Sequence, residues 1–278
     1  MYVYEVYDIS DDYLNGLNYD GSELKYGVTL LSKNFIMKLP KKDWNNVYCE
    51  YIASNIIKIL GGCVHNVYLG KFEDNIVCLC EDFTTEGKTL KTFSDMNSSS
   101  LDTDTSRHDY YFDDVMYILS NIRHADVQEL KSDFMSMYVY DALLGNPDRH
   151  KGNWGLLKYN GYYTFAPIFD NGACLFPRAK TCGDTSDWML ERIKDFPNSK
   201  IMFNNKRERS SYFNVLREHR ELDVYRERIT DELIDRCLNF ITYTPIPDTL
   251  KVLYRTVLYY RYHCIIKLED FVWRGLLW

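Results

Sequence analysis

Hydrophobic spacing changes character once along this chain. Through about the first 85 residues the apolar runs are short and of β type. Gly27–Leu31 and Asn34–Leu39 read as strands joined at Ser32-Lys33, and Asn66–Leu69 and Asn75–Cys80 read as a second pair. One helix is predicted between the pairs, over about Asn46–Leu60, because Val47, Ile52, Ile56, Ile59 and Leu60 recur at helical spacing and Gly61-Gly62 stops them. Ser94–Asp109 is polar and aperiodic and reads as a loop. Beyond it the spacing turns helical. Tyr111, Phe112, Val115, Ile118, Leu119 and Ile122 mark one helix. Asp126 with Glu129 makes a capping box for the next, which carries Leu130, Phe134, Met137 and Tyr138 and ends at Gly145. The C-terminal third predicts helices over Ser210–Glu221 and Thr230–Ile241, then a long one capped by Asp248 and running toward Phe271. Strands first and helices later give an α+β chain with two lobes. The expected division is a strand-rich N-lobe over 1–86, with one helix, and a mostly helical C-lobe over 87–278.

Composition narrows the function classes. No apolar run approaches the roughly 20 residues of a membrane span, and Met1–Asp12 carries acids and tyrosines where a secretory leader would be basic and then apolar. A net charge of −7 argues against direct nucleic-acid binding. The eight cysteines form no CxxC and no zinc-type spacing with histidine, so they read as free thiols of a reducing, cytoplasmic compartment; export to a host cell stays open.

The sharpest chemistry lies in residues 145–172, GNPDRHKGNWGLLKYNGYYTFAPIFDNG. A helix ends at Gly145 and a loop presents Asp148, His150 and Asn153. Asn160-Gly161 between two β-type runs predicts a hairpin, because a type I′ turn needs positive φ at both positions. The hairpin returns the chain so that Asp170 emerges near Asp148 and Asn153. Two carboxylates and a carboxamide at one point suit phosphoryl transfer, which needs oxygen ligands for Mg²⁺ and one carboxylate to orient the attacking hydroxyl. Asp148 and Asn153 are also spaced as base and metal ligand are in protein-kinase catalytic loops.

A matching nucleotide apparatus is predicted upstream. Lys38 stands among apolar neighbours in FIMKLP, and Glu50, on the following helix, can pair with it and leave it aimed at phosphates. Gly16, Gly21 and Gly27 punctuate a loop whose amides suit phosphate, with Ser22 beside them. Glu81-Asp82-Phe83 follows the last strand, where backbone groups of Glu81 and Phe83 are placed to meet adenine.

On these segments, DGSELKYG, FIMKLPK, NNVYCEYIASNIIKILGG, CLCEDF and GNPDRHKGN…APIFDNG, the chain resembles the HipA-like serine/threonine kinases, within their compact CtkA-like branch, and more distantly the phosphatidylinositol 3/4-kinase superfamily. The resemblance implies a two-lobed protein-kinase-like fold and transfer of phosphate from ATP with Mg²⁺ to a serine or threonine of a protein substrate. It implies Asp148 as base, Asn153 and Asp170 as metal ligands, and Lys38 on phosphate with Glu50 as its partner. His150 becomes an orienting residue, and Ser22 the matching site of self-phosphorylation. A toxin or effector role in a bacterium, with an antitoxin or regulatory partner, belongs to the same analogy. A lipid or small-molecule kinase and a non-catalytic nucleotide-binding module are the alternatives. Between Asn171 and Phe196 four basic and four acidic side chains balance, which speaks against an anionic lipid, and a full set of Lys38, Glu50, Asp148, Asn153 and Asp170 speaks against a module without catalysis.

Overall fold

The computed structural model describes residues 5–17, 19, 24–100, 110–179, 193–203 and 209–270. Gly21 and Ser22, of the phosphate-loop expectation, lie outside them. The strand-rich part is a five-stranded sheet in the order β1-β4-β5-β3-β2. It is built from β1 (Val6–Ile9), β2 (Lys25–Leu30), β3 (Lys33–Lys38), β4 (Val67–Phe72) and β5 (Asn75–Glu81). All neighbours are antiparallel except β1, which runs parallel to β4. The period of two splits the sheet's side chains. Phe35, Met37, Val77 and Leu79 turn to a small outer core with Ile9, Val28 and Phe72. Ile36, Lys38 and Cys80 turn to the opposite face.

Helix α1 (Asn46–Ile59) packs on that opposite face and is buried on most of its sides. Its outer flank meets helices of the second lobe: Tyr51 lies against Phe240, with ring centroids 5.9 Å apart, and the Cys49 thiol contacts the Tyr254 hydroxyl at 3.4 Å. One hydrophobic core therefore runs from α1 into the helical lobe.

That lobe contains α2 (Phe93–Ser100), α3 (Phe112–Ser120), α4 (Val127–Leu144), α5 (Tyr212–Glu218), the single turn α6 (Asp223–Arg226), α7 (Asp231–Tyr243) and α8 (Asp248–Arg261). A small antiparallel sheet joins β6 (Thr89–Thr92), β7 (Gly155–Tyr159) and β8 (Tyr162–Phe165). The β7–β8 turn is the expected Asn160-Gly161, with φ of 49° and 83°. Beneath the hairpin the buried Trp154 stacks on Phe93 and packs against Phe134 and Phe165.

Three expectations need correction. Ser94–Asp109 is not loop from its start, since Phe93–Ser100 is helical. Thr92 and Asp95 cap it reciprocally, the Asp95 carboxylate accepting from the Thr92 N–H and hydroxyl and Thr92 Oγ1 accepting from the Asp95 N–H. Asp248 does not cap α8 with its side chain; the helix starts behind Pro247, whose fixed φ supplies the start. Nor does α8 continue toward Phe271: it ends at Arg261 and passes into one π-helical turn, Tyr262–Ile266.

Arg261 fixes the end of α4. Fully buried, it donates from Nε to the Ala142 and Leu143 carbonyls, from Nη2 to Ala142, and from Nη1 to the Phe196 carbonyl. Desolvation pushes its pKa down to about 10, which still leaves a cation at neutral pH beside the negative end of the α4 dipole. Gly145, at φ 66°, follows directly, and a Cβ there would come within 3.0 Å of the guanidinium. Replacing Arg261 with Met strands those buried carbonyls. Urea unfolding of Arg261→Met is expected to show a loss of about 2–4 kcal/mol at unchanged m-value.

Candidate active site

A cleft of about 1330 Å³ opens between the large sheet and the helical lobe. The expected residues Lys38, Glu81, Phe83, Asp148, His150, Asn153 and Asp170 all line it. Glu50 stands behind Lys38, fully buried on α1.

The inner end holds an ion-paired trio. Lys38 Nζ donates to Glu50 Oε2 at 2.8 Å and to Asp170 Oδ1 at 2.9 Å. Burial alone would discharge Lys38, but Glu50 foremost, with Asp170 among the lesser contributors, overrides it and holds the ammonium well above its ordinary pKa. Burial would likewise raise both carboxyls, and Lys38 overcomes it, so Glu50 and Asp170 are each held below the usual carboxylate range. Asp170 sits at φ 59°, a left-handed conformation unusual for a residue with a side chain, and its contact with Lys38 holds it there.

The loop between α4 and β7 supplies the opposite wall. Asn146 organises its start: its amide donates to Asp141 Oδ1 and its Oδ1 accepts the Asp148 N–H. Asn153 donates from Nδ2 to the Asp148 carbonyl at 2.9 Å, closing the loop and committing its nitrogen, so that Oδ1 is its remaining donor atom for a ligand. The Asp148 carboxylate is half exposed and faces Lys200 Nζ at 3.7 Å.

Arg149 escaped the sequence reading, and it ties these walls together. It is fully buried with all five N–H donors engaged. Nε and Nη2 grip both oxygens of Asp141, Nη1 donates to the Asn153 and Phe169 carbonyls, and Nη2 also reaches Asn171 Oδ1. Asn171 in turn donates its N–H to Glu50 Oε1 and its amide to Ser54 Oγ on α1. His150, expected to orient the loop, is exposed, and its Nδ1 accepts the Gly152 N–H at 3.0 Å. Asp141, eight residues before Arg149 on an otherwise apolar helix face, was the signal available for this pair.

At the outer end, the Glu81 N–H donates to the Asn66 carbonyl, and its carboxylate pairs with Lys33 and Asn66. Phe83 packs between His65 and Phe169. Tyr19 reaches across the mouth and donates to Asp82 Oδ2 at 2.9 Å. Below, Ile168 pairs with residues 63–65, stitching the strand that leads to Asp170 onto the α1–β4 connection.

With this geometry in view, comparison with known proteins is specific. The model of the HipA-like C-terminal domain matches residues 18–239. The serine/threonine-protein kinase CtkA of Helicobacter pylori (strain J99) is 35% identical over 186 residues, 64% of this chain and 57% of that protein. The chain thus matches a little over half the length of that curated relative. The crystal structure of the H. pylori proinflammatory kinase CtkA superposes with a TM-score of 0.80 at 30% identity, covering 88% of this chain and 92% of that one. The HipA of the Shewanella oneidensis MR-1 toxin–antitoxin complex with HipB and operator DNA matches in fold, with a TM-score of 0.58 at 15% identity over 91% of this chain and 65% of that one. The expected two-lobed, kinase-like α+β architecture is therefore the one observed.

Because Glu50 and Asp170 ionise more readily here than in an unfolded chain, the unfolded chain takes up their protons first as pH falls. The stability they confer is complete above about pH 5 and drains away below about pH 4. Urea midpoints of the metal-free protein should fall more steeply with acid for wild type than for Glu50→Gln, in which one of the two groups no longer titrates. Parallel profiles would remove the trio as the source of the acid limb. In a second test, Arg149→Lys keeps the charge but offers three donors in place of five. It is expected to destabilise the protein by about 2–4 kcal/mol in the same assay.

Proposed function

The chain belongs to the HipA-like C-terminal domain family, and on that premise we propose that it is an ATP-dependent serine/threonine protein kinase. The observation that carries the reading is the meeting, in one cleft, of the Lys38–Glu50–Asp170 trio with the Asp148–Asn153 loop. Lys38, desolvated and held charged, is suited to the phosphates of ATP; Glu50 keeps it extended toward them. Adenine fits against the outer end, where Glu81 and Phe83 line the cleft.

Mg²⁺ fits the donor set. Asp170 has a second carboxylate oxygen beyond the one that accepts from Lys38, and Asn153 has its Oδ1; both are hard oxygen ligands. Bound there with nucleotide, the ion would neutralise charge on the β- and γ-phosphates. Asp148 is the base. Its exposed carboxylate accepts the proton of a serine or threonine hydroxyl as that oxygen bonds to the γ-phosphorus, and ADP departs with the electron pair of the broken P–O bond. Lys200, 3.7 Å from Asp148, offers a cation to the transferred group. His150, at the rim, is suited to contacting the acceptor side.

The substrate is a protein with an accessible serine or threonine, and the chain itself is one candidate through Ser22. Within the described residues no helix is long and apolar enough to cross a membrane. A regulatory partner of antitoxin type and a cytoplasmic site of action complete the proposal by analogy with the HipA-like proteins.

The test follows γ-phosphate of ATP, with Mg²⁺, into the protein itself and into lysate proteins. Wild type is expected to label protein. Asp148→Asn should lose about 10²–10⁴-fold in rate, the usual weight of a general base, while still binding nucleotide. Ser22→Ala should lose one phosphate from the intact mass; a site elsewhere removes Ser22 from the proposal. Nucleotide bound with no protein labelled would redirect the assignment to a lipid or small-molecule acceptor.

A further inference from the structure

Behind Lys38, Glu50 is also one corner of a second group of ligand-type side chains, whose other two members phosphoryl transfer does not account for. Glu50 of α1, His65 of the α1–β4 connection and Cys80 of β5 place one carboxylate oxygen, one ring nitrogen and one sulfur within 4.8 Å of one another, and all three residues are buried. His65 Nε2 has no hydrogen-bond partner; it faces Glu50 Oε1 at 3.5 Å. A carboxylate at 3.5 Å, outside hydrogen-bond geometry, replaces only part of the water a buried ring nitrogen gives up, and a polar atom left without a hydrogen bond costs about 1–3 kcal/mol. Cys80 is a free thiol on the cleft-facing side of β5.

We propose that Glu50, His65 and Cys80 form a binding site for a borderline-soft dication of the Zn²⁺ class, and that filling it switches off the phosphate end of the cleft. Carboxylate, imidazole and thiolate are a ligand set that zinc-type ions accept in tetrahedral geometry, with a fourth position left for water. Mg²⁺ prefers six oxygens, so the two ions do not compete here. His65 and Cys80 both line the cleft, which gives the ion an entry route. On binding, Cys80 exchanges its S–H for an S–metal bond and the proton leaves to solvent; any proton on His65 Nε2 leaves likewise. The cost falls on Lys38. Glu50 Oε2 already accepts from its ammonium at 2.8 Å, and a dication on Oε1 sets two cations against one carboxylate. The Lys38 side chain is thereby loosened from Glu50. By linkage, metal and nucleotide each weaken the binding of the other. The metal site itself stands apart from the kinase reading; its effect on nucleotide rests on that reading.

Co²⁺ is the probe, titrated into the metal-free full chain, because it reports a thiolate ligand by a charge-transfer band and four-coordination by intense visible bands. Expected is one Co²⁺ per chain with both signatures, displaced by Zn²⁺. Both should vanish in Cys80→Ser and in His65→Gln and persist in Cys63→Ser, which alters an exposed thiol. Thermal melts verify that each variant is folded, and the two knock-outs come from different elements, so misfolding of one leaves the other decisive. Absence of the thiolate band, its survival in Cys80→Ser, or its loss in Cys63→Ser overturns the site. Nucleotide affinity is then measured with and without Zn²⁺ in wild type and Cys80→Ser, so that chelation of Zn²⁺ by ATP cancels. Weakening by Zn²⁺ confined to wild type is expected, and equal effects in both overturn the switch. The kinase reading fails by a different result, unimpaired phosphate transfer by Asp148→Asn, which leaves the cobalt spectra untouched.

Discussion

Arg149 is buried without access to water, and every one of its five donors has an acceptor. A guanidinium in such a place would be a large liability if one partner were missing, because desolvation of a cation is repaid only by close, well-oriented anions and dipoles. Asp141 supplies the anion in a two-pronged grip, and the remaining donors go to two carbonyls and a carboxamide. The carbonyls belong to Asn153 and Phe169, one in the loop after α4 and one directly before Asp170. The planar fork thus sets the spacing between the two halves of the site. A lysine cannot do the same, since an ammonium offers no fixed plane.

From Arg149 the constraint passes outward through contacts, each of which has a single arrangement here. Asn171 accepts from the guanidinium and donates to Glu50; Glu50 accepts from Lys38; Lys38 donates to Asp170, the residue next to Asn171. The circuit closes on itself across α1, β3 and the segment after β8, and Arg149 joins it to α4 through Asp141. Because α1 is also clamped from outside by Tyr254 and Phe240, Glu50 has little freedom to swing away from Lys38. The sheet and the helical lobe are thereby coupled at the depth where phosphate would lie, while at the mouth, among the described residues, Tyr19 and Asp82 make a part-buried contact.

What the sequence disclosed depended on the range of the interaction. The Asn160-Gly161 turn, the Asp126 cap, the Gly145 stop and a lysine inside an apolar strand are each decided within a few residues, and each reads correctly. Strand β1 was missed because its pairing with β4 spans some sixty residues and its side chains alternate only weakly in burial. The Thr92–Asp95 box is just as local, but the polar stretch after it reads as loop and hides the helix it starts. Of the adjacent pair Arg149 and His150, spacing could not say which turns inward. That follows from the loop's curl over Asn146 and Asn153, and the inward direction rewards the side chain with five donors over an imidazole whose Nδ1 acts as an acceptor. His65 carried no local pattern at all, since its neighbours Glu50 and Cys80 meet it only through packing of α1 on the sheet.

Charge sets the remaining requirement. At the inner end one ammonium, Lys38, serves two carboxylates, Glu50 and Asp170, and on the other wall Lys200 and Asp148 balance each other at 3.7 Å. Lys25, Lys41 and Arg178 line the rest of the cleft against Glu81 and Asp82, so cations and carboxylates nearly balance where a triphosphate would add several negative charges. In a partly dry site like charges at close range repel by kilocalories, so a triphosphate is drawn to these cations but meets Asp170 and Asp148 beside them. Cations arriving with the polyanion would ease that repulsion, and the oxygens of Asp170 and Asn153 are hard donors on the wall of the cleft. Glu50 plays the opposite part. Turned from the cleft and surrounded by Lys38, His65 and the Asn171 amide, it keeps its charge only by partners on each oxygen. A carboxylate held in that way is the point at which the electrostatic balance of the whole cleft is most sensitive to any additional cation.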